Sequence, residues 1–158
     1  MNSKYPVFEY LKKYLKKELD ESAQINMLYP TAISQTLKID IDNVELGEAI
    51  VRIYADYNIH GNQQGTVHGG LLCELADAAI GTAHSTLMQE NESFTSVDLK
   101  INFYRPVWKS ILKAHAKQLR VGKTLTHYEC TIYDDENKKV AYITSIVMTL
   151  KGEKAKGR

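Results

Sequence analysis

The stretch with the most chemistry in it is HGNQQGTVHGGLLCELADAAIGTAHST, His60 to Thr86. Its first third has the composition of a loop and the rest reads as a helix, in which the carboxylate of Asp77 sits among small and apolar residues. Leu72, Leu75, Ala76, Ala79 and Ala83 share one helical face, suited to packing on a sheet. Gly70, Cys73, Asp77 and Gly81 share another, where small neighbours let a second backbone or a ligand come close. A carboxylate in such a partly covered stripe must be hydrogen-bonded, paired or used. Glu74, one turn earlier, is a second candidate carboxylate, although a solvated role suits it better. At the other end, His68-Gly69-Gly70 falls where the helix should begin. There the first amide N–H groups lack intrahelical partners and point outward with the positive end of the helix dipole. With no β-carbon at Gly69 or Gly70, a substrate oxygen can reach those donors, as stabilising a carbonyl under nucleophilic attack requires.

One helix cannot easily deliver both groups to one carbonyl. Gly69 and Asp77 are eight residues apart, hence roughly 12 Å apart along the axis and rotated by about 80°. Two antiparallel copies of the helix could place the amides of each beside the Asp77 of the other. A symmetric dimer with two shared sites is the simplest solution.

Several elements must hold this stretch. At the N-terminus, Phe8, Leu11, Leu15 and Leu19 form an apolar stripe interleaved with lysines, an amphipathic helix whose first turn suits Pro6. Glu9, Glu18, Asp20 and Glu21 dilute its charge, so it reads as packed on its own domain rather than lying on a membrane. Asn26 to Gln35 reads as a connector with room for one helical turn. From Thr36 to Tyr57 the period becomes two: Leu37, Ile39 and Ile41 alternate with charged residues, and Ala49 to Tyr54 is rich in strand formers, giving a hairpin. Further strands follow from Val97 to Phe103, Ile111 to Val121, Thr124 to Tyr133 and Val140 to Leu150, joined by connections too short for parallel crossovers. The class is α+β, two helices and six strands, a mostly antiparallel sheet covered on one face by the helix that starts near His68. Residues 1–34 then form an N-terminal helical segment packed on the domain, 35–150 the domain itself, and 151–158 a flexible basic tail.

Composition narrows the function. With 158 residues, one domain is expected. Twenty basic and nineteen acidic residues leave a net charge of +1, which gives no electrostatic reason to propose nucleic acid. No apolar run approaches the roughly 20 residues that cross a bilayer, and the N-terminus lacks a signal-type apolar core, so a cytoplasmic protein without a membrane partner is expected. Cys73 and Cys130 have no metal-ligand spacing and read as small buried hydrophobes. His60, His84, His115 and His127 form no HxH or HxxxH pattern, so no metal site is expected. There is no GxSxG elbow, P-loop or GxGxxG.

The pattern Asn62-x-x-Gly65-Thr66-Val67-His68-Gly69-Gly70, then Leu75-Ala76-Asp77-x-Ala79, then Ser96-Val97-Asp98-Leu99-x-Ile101-x-Phe103-x-Arg105-Pro106, closely resembles the hotdog-fold acyl-CoA thioesterases of the phenylacetic-acid-degradation (PaaI-like) type. The resemblance runs from about Leu37 to Leu150. It implies a hotdog fold, an antiparallel sheet wrapped around a long central helix, here with an extra N-terminal helix. It also implies a homodimer with a continuous sheet, often paired into a homotetramer, and no cofactor. By position, the Gly69 N–H would polarise the thioester carbonyl of an acyl-CoA, and Asp77 of the partner subunit would act as nucleophile or as base toward water. Asn62 would orient the attack or hold the substrate, Ser96 would position the water or the carboxylate, and His68 and Gly70 would shape the substrate-binding loop. A thiolate, with a thiol pKa near 8.5, leaves without a strong general acid, so so lean a site is chemically reasonable.

Each assignment has a plainer counterpart. Asp77 could be structural, Asn62 could bond its own loop, and Ser96 could simply begin a strand. Tyr54, Tyr57, Phe103 and Tyr104 could line a pocket, the core or an interface. Arg105, Lys109, Arg120 and Lys123 lie in the right general region for coenzyme A phosphates, yet read equally well as solvated charges. A non-catalytic acyl-CoA-binding module would have no need for the carboxylate. An acyl-thioester dehydratase of the same fold would pair a catalytic histidine with an acid, whereas His68 precedes the glycines.

Overall fold

The computed structural model describes residues 6–156. Four helices, α1 (Val7–Lys16), α2 (Ala32–Leu37), α3 (Tyr57–His60) and α4 (Gly69–Ser85), accompany six strands: β1 (Asp40–Glu45), β2 (Glu48–Asp56), β3 (Glu92–Phe103), β4 (Lys109–Val121), β5 (Leu125–Tyr133) and β6 (Lys139–Lys151). Every strand pair is antiparallel, in the order β1-β2-β4-β5-β6-β3. This is the α+β class expected of a hotdog fold, an antiparallel sheet wrapped around a long central helix, α4.

The period-two pattern explains the packing. Val51 and Ile53 of β2, Leu112 and Ala114 of β4, Cys130 and Ile132 of β5, and Ile143 and Val147 of β6 are buried, while their alternate neighbours face outward. Onto this face α4 lays Leu72, Leu75, Ala76, Ala79 and Ala83, all buried as the helical spacing requires. Alanines on both surfaces let helix and sheet approach closely. The turn between β1 and β2 needs a left-handed residue, supplied by Gly47 at φ +72°. Its N–H donates to Thr86 Oγ1 at 2.8 Å, and that hydroxyl donates to Ala83 O, which ties the hairpin to the C-terminus of α4.

The elements depart from expectation at several points. α1 ends at Lys16, with Lys17 left-handed as its C-cap, so Leu19 lies beyond the helix, and Pro6 is the N-cap rather than a first-turn residue. Leu37 ends a helix instead of opening a strand, because the Thr31 side chain caps α2 by accepting from Ser34 N–H. β3 begins at Glu92, well before Val97, by pairing with the end of β6. β6 reaches Lys151, and a 3-10 turn over Gly152–Ala155 follows where a frayed tail was expected. Cys130 is buried, but Cys73 is only half-buried. Among the described residues no helix is long and apolar enough to cross a membrane.

The last turn of α4 carries a buried histidine. His84 is 1% exposed; its Nδ1 lies 3.0 Å from the Tyr128 hydroxyl and its Nε2 3.0 Å from Thr149 Oγ1. Burial lowers its pKa from the ordinary 6.5 to about 4. The ring is therefore neutral in the folded protein at pH values where the unfolded chain already binds a proton. Its contribution is fully present above pH 6.5 and is lost as the pH falls toward 4, about 1.4 kcal/mol per pH unit and about 2 kcal/mol by pH 5. Urea unfolding of the wild type and His84→Gln at pH 7 and pH 5 is expected to show the stability gap between them narrowing by about 2 kcal/mol. A gap independent of pH would overturn this.

Candidate functional site

The site is organised by the start of α4. His68 enters in extended conformation, φ −66° and ψ 136°, and its ring caps the helix: Gly70 N–H donates to Nδ1 at 2.8 Å. As the acceptor, Nδ1 carries no proton, so the neutral ring is protonated on Nε2. Leu71 N–H donates to the His68 carbonyl at 3.0 Å. Gly69, the first helical residue, has no acceptor within the helix, and no described residue outside it supplies one. The two glycines therefore differ. Gly69 keeps a free donor, whereas the Gly70 donor is consumed by the imidazole, which corrects the expectation that both amides face a substrate. A β-carbon at Gly69 would lie 3.0 Å from Phe103 Cζ, so the Phe103 ring sits directly over the helix start.

The loop before α4 is fixed at both ends. Val67 N–H donates to Val107 O and His68 N–H to His60 O, each at 2.8 Å. Within it, Asn62 Oδ1 accepts from the N–H groups of Gln64 and Thr66, and its Nδ2 donates to Thr66 Oγ1 at 3.0 Å. Both ends of the Asn62 amide are committed to its own loop.

Two turns into α4, Asp77 is half-buried and accepts a hydrogen bond from Ser96 Oγ at 2.8 Å. That bond is to Oδ1; Oδ2 has no hydrogen-bond partner among the described residues. Sequence reading singled out both residues, and the fold brings them together. It missed the device that does so: the pairing of β3 with β6 slips between Ser96 and Asp98, a bulge at Val97. Asp98 Oδ1 accepts from Ile146 N–H and its carbonyl from Ser145 Oγ, anchoring the irregularity. Bulges re-aim side chains and cluster beside active sites. Glu74 lies a turn before Asp77, and its carboxyl is pushed above the usual range, first by burial and then by the Asp77 charge. Two acids on one face thus have unequal environments. Gly69 and Asp77 stay on one unbroken helix, α4, so a single chain does not bring them together.

A cavity of about 210 Å³ opens beside the two acids. Glu74, Asp77, Ala78, Gly81 and Thr82 of α4 form one side, and Tyr14, Tyr29 and Ile33 of the N-terminal segment face them. Tyr54, Tyr57, Phe103 and Tyr104 do not line it and are substantially exposed. The aromatic walls come from a part of the chain that sequence reading treated as packing only. Among the described residues no group of three or more His, Cys, Asp or Glu could hold a metal ion. Lys109 is engaged with Asp56 at 3.0 Å.

Residues 64–141 match the model of the thioesterase superfamily. A protein of Saccharolobus solfataricus named as a candidate esterase is 32% identical over 107 residues, 67% of this chain and 74% of that protein. The 1,4-dihydroxy-2-naphthoyl-CoA hydrolase of Listeria monocytogenes is 27% identical over 121 residues, 75% of this chain and 95% of that one. The solved structure of the E. coli PaaI protein from the phenylacetic acid degradation operon superposes with a TM-score of 0.71 at 27% identity, covering 78% of this chain and 87% of that one. The capped helix start, the carboxylate two turns beyond it and these likenesses converge: the chain belongs to the thioesterase superfamily, as a thioester hydrolase of the hotdog fold.

Proposed function

We propose that the protein hydrolyses acyl-CoA thioesters in sites shared between the subunits of a dimer. The observation that carries this reading is the division of labour along α4: one unpaired amide at Gly69, and eight residues on a carboxylate held by Ser96. The Gly69 N–H of one subunit stabilises the negative charge that develops on the thioester oxygen. Asp77 of the partner drives attack on the carbonyl carbon, as nucleophile or by removing a proton from water. Ser96 holds Oδ1 and so leaves Oδ2 free to act. The carbon–sulfur bond breaks and the coenzyme A thiolate departs, giving the free acid directly when water attacks, or an acyl–Asp77 anhydride that water then cleaves to free acid and Asp77; no metal or cofactor enters. Asn62 and His68 are positioning residues, ordering the loop and capping the helix that presents the Gly69 amide.

The dimer is supported by β3, an edge strand of twelve residues. Val97 and Phe103 on it are 52% and 54% exposed, and among the described residues one side of its backbone has no strand beside it. Such an edge invites a second copy, and pairing there would extend the sheet while bringing two α4 helices side by side. Pairing of dimers into a tetramer and a cytoplasmic setting are compatible with this arrangement.

The L. monocytogenes relative is named for hydrolysis of an aryl-CoA, which favours the same substrate class. A panel of saturated and single-ring aryl acyl-CoAs, read by thiol release, is expected to yield kcat/KM on the order of 10⁴ M⁻¹s⁻¹ or more for its best member. Binding without turnover across the panel would favour an acyl-CoA-binding module instead.

A further inference from the structure

We infer that the N-terminal segment, residues 7–37, is the wall that sets acyl-group length, with Tyr29 as its end stop. This rests on the thioesterase reading above. It goes beyond it, because the segment lies wholly outside the family-matched region, which starts at residue 64.

The cavity beside Asp77 follows α4. Glu74, Asp77, Ala78, Gly81 and Thr82 recur at spacings of three and four, so they line one face of the helix and trace the cavity from the acids toward the C-terminal turn. Tyr29 marks the far end. Its hydroxyl lies 2.7 Å from Ser85 Oγ. The single Ser85 proton goes to Gly81 O at 2.7 Å, so Tyr29 is the donor to Ser85. From Asp77 to Ser85 is eight residues, about 12 Å of helix. An acyl group attached to a carbonyl held at Asp77 would extend along Ala78 and Gly81 and meet Tyr29. Ile39, Ile41, Val51 and Phe94 supply further apolar surface, which suits a hydrocarbon group.

Size follows from volume. Apolar cavities near 150 Å³ hold a benzene ring, so 210 Å³ takes one ring with a short linker or a medium-length chain. A longer chain would have to pass Tyr29, and space exists beyond it: Tyr29, Thr31 and Phe94 also border a wider open cleft on their other side, reaching Leu28 and the 3-10 turn at the C-terminus. These three side chains are the partition between the two spaces. Gly81 controls the bore, since a β-carbon there would meet only Phe94, at 3.7 Å.

Two variants act in opposite directions and leave Asp77, Ser96 and Gly69 untouched. Tyr29→Ala joins the cavity to the cleft, and the ratio of kcat/KM for tetradecanoyl-CoA over octanoyl-CoA is expected to rise about tenfold or more. Gly81→Val narrows the bore, and the ratio for butanoyl-CoA over octanoyl-CoA is expected to rise by a similar factor. Valine costs a helix no more than glycine does and a β-carbon at position 81 makes only ordinary contact with Phe94, so Gly81→Val carries the test even if Tyr29→Ala does not fold. Calorimetric titration of the same acyl-CoAs into Asp77→Asn versions of each protein reads length preference without turnover. Length profiles that do not move in either variant overturn the wall and leave the hydrolase reading intact. If the wild type hydrolyses none of these thioesters but the affinities shift as described, the hydrolase reading fails and the wall stands.

Discussion

Asp77→Asn is expected to lower kcat for acyl-CoA hydrolysis by about 10³-fold or more while leaving fold and oligomer unchanged. The substitution keeps the shape of the side chain, and the remaining carbonyl oxygen can still accept from Ser96 Oγ, which now donates to Oδ1. Asp77 is half-buried and makes no ion pair among the described residues, so no partner charge is stranded by the change. The amide lacks the basicity and nucleophilicity of a carboxylate, and only the chemical step depends on that. Glu74 cannot take over. It lies three residues earlier on the helix, away from Ser96 Oγ, which donates to Asp77. KM should therefore change little, and thermal unfolding should match the wild type within a few degrees. Near-normal turnover in Asp77→Asn would remove the carboxylate from the reaction and reduce it to a bonding partner for Ser96.

What the sequence made readable here was whatever depends on local periodicity. The apolar face of α4 and the alternation in β2, β4, β5 and β6 follow from spacings of two or of three and four. Leu37 shows the limit: its alternation with Ile39 and Ile41 looks like a strand, yet the Thr31 cap, three residues before Ser34, starts a helix that overrides it. The start of β3 depends on pairing with Leu150 and Lys151 across the sheet, and Ser93, buried in that strand, disguises the alternation. The bulge at Val97 then shifts the phase between Ser96 and Asp98. Site residues divide in the same way. Gly69, Asp77 and Ser96 could be picked out by type and spacing. That Asn62 spends its amide on Thr66 and Gln64 is decided by loop closure. That Tyr14 and Tyr29 lie across from Asp77 is decided by how the connector folds back on α4, which no local pattern encodes. The Gly70 donor was misread because a histidine is an uncommon cap; its position two residues before Gly70 was the available clue.

Gly69→Pro is expected to lower kcat by about 10² to 10³-fold, the usual cost of one lost oxyanion donor, in a protein that still folds. Most substitutions of glycine leave the amide in place, and only proline deletes the N–H. Proline is favoured at the first position of a helix, where no intrahelical bond is lost. It also requires an extended residue before it, and His68 already has φ −66° and ψ 136°. The ring would press on Phe103, whose exposed side chain can move aside. Because Gly69 and Asp77 lie some 12 Å apart on one helix, this variant also tests whether the site is shared. In a heterodimer of one Gly69→Pro chain and one Asp77→Asn chain, purified through two different tags, a shared arrangement yields one site with both groups intact and one with both damaged. About half of the wild-type activity per dimer is then expected, although each parent homodimer is nearly inactive. If each chain built its own site, both sites of the heterodimer would be damaged and mixing would restore nothing. Activity recovered only in the mixed dimer therefore requires the Gly69 amide and the Asp77 carboxylate to meet across the interface.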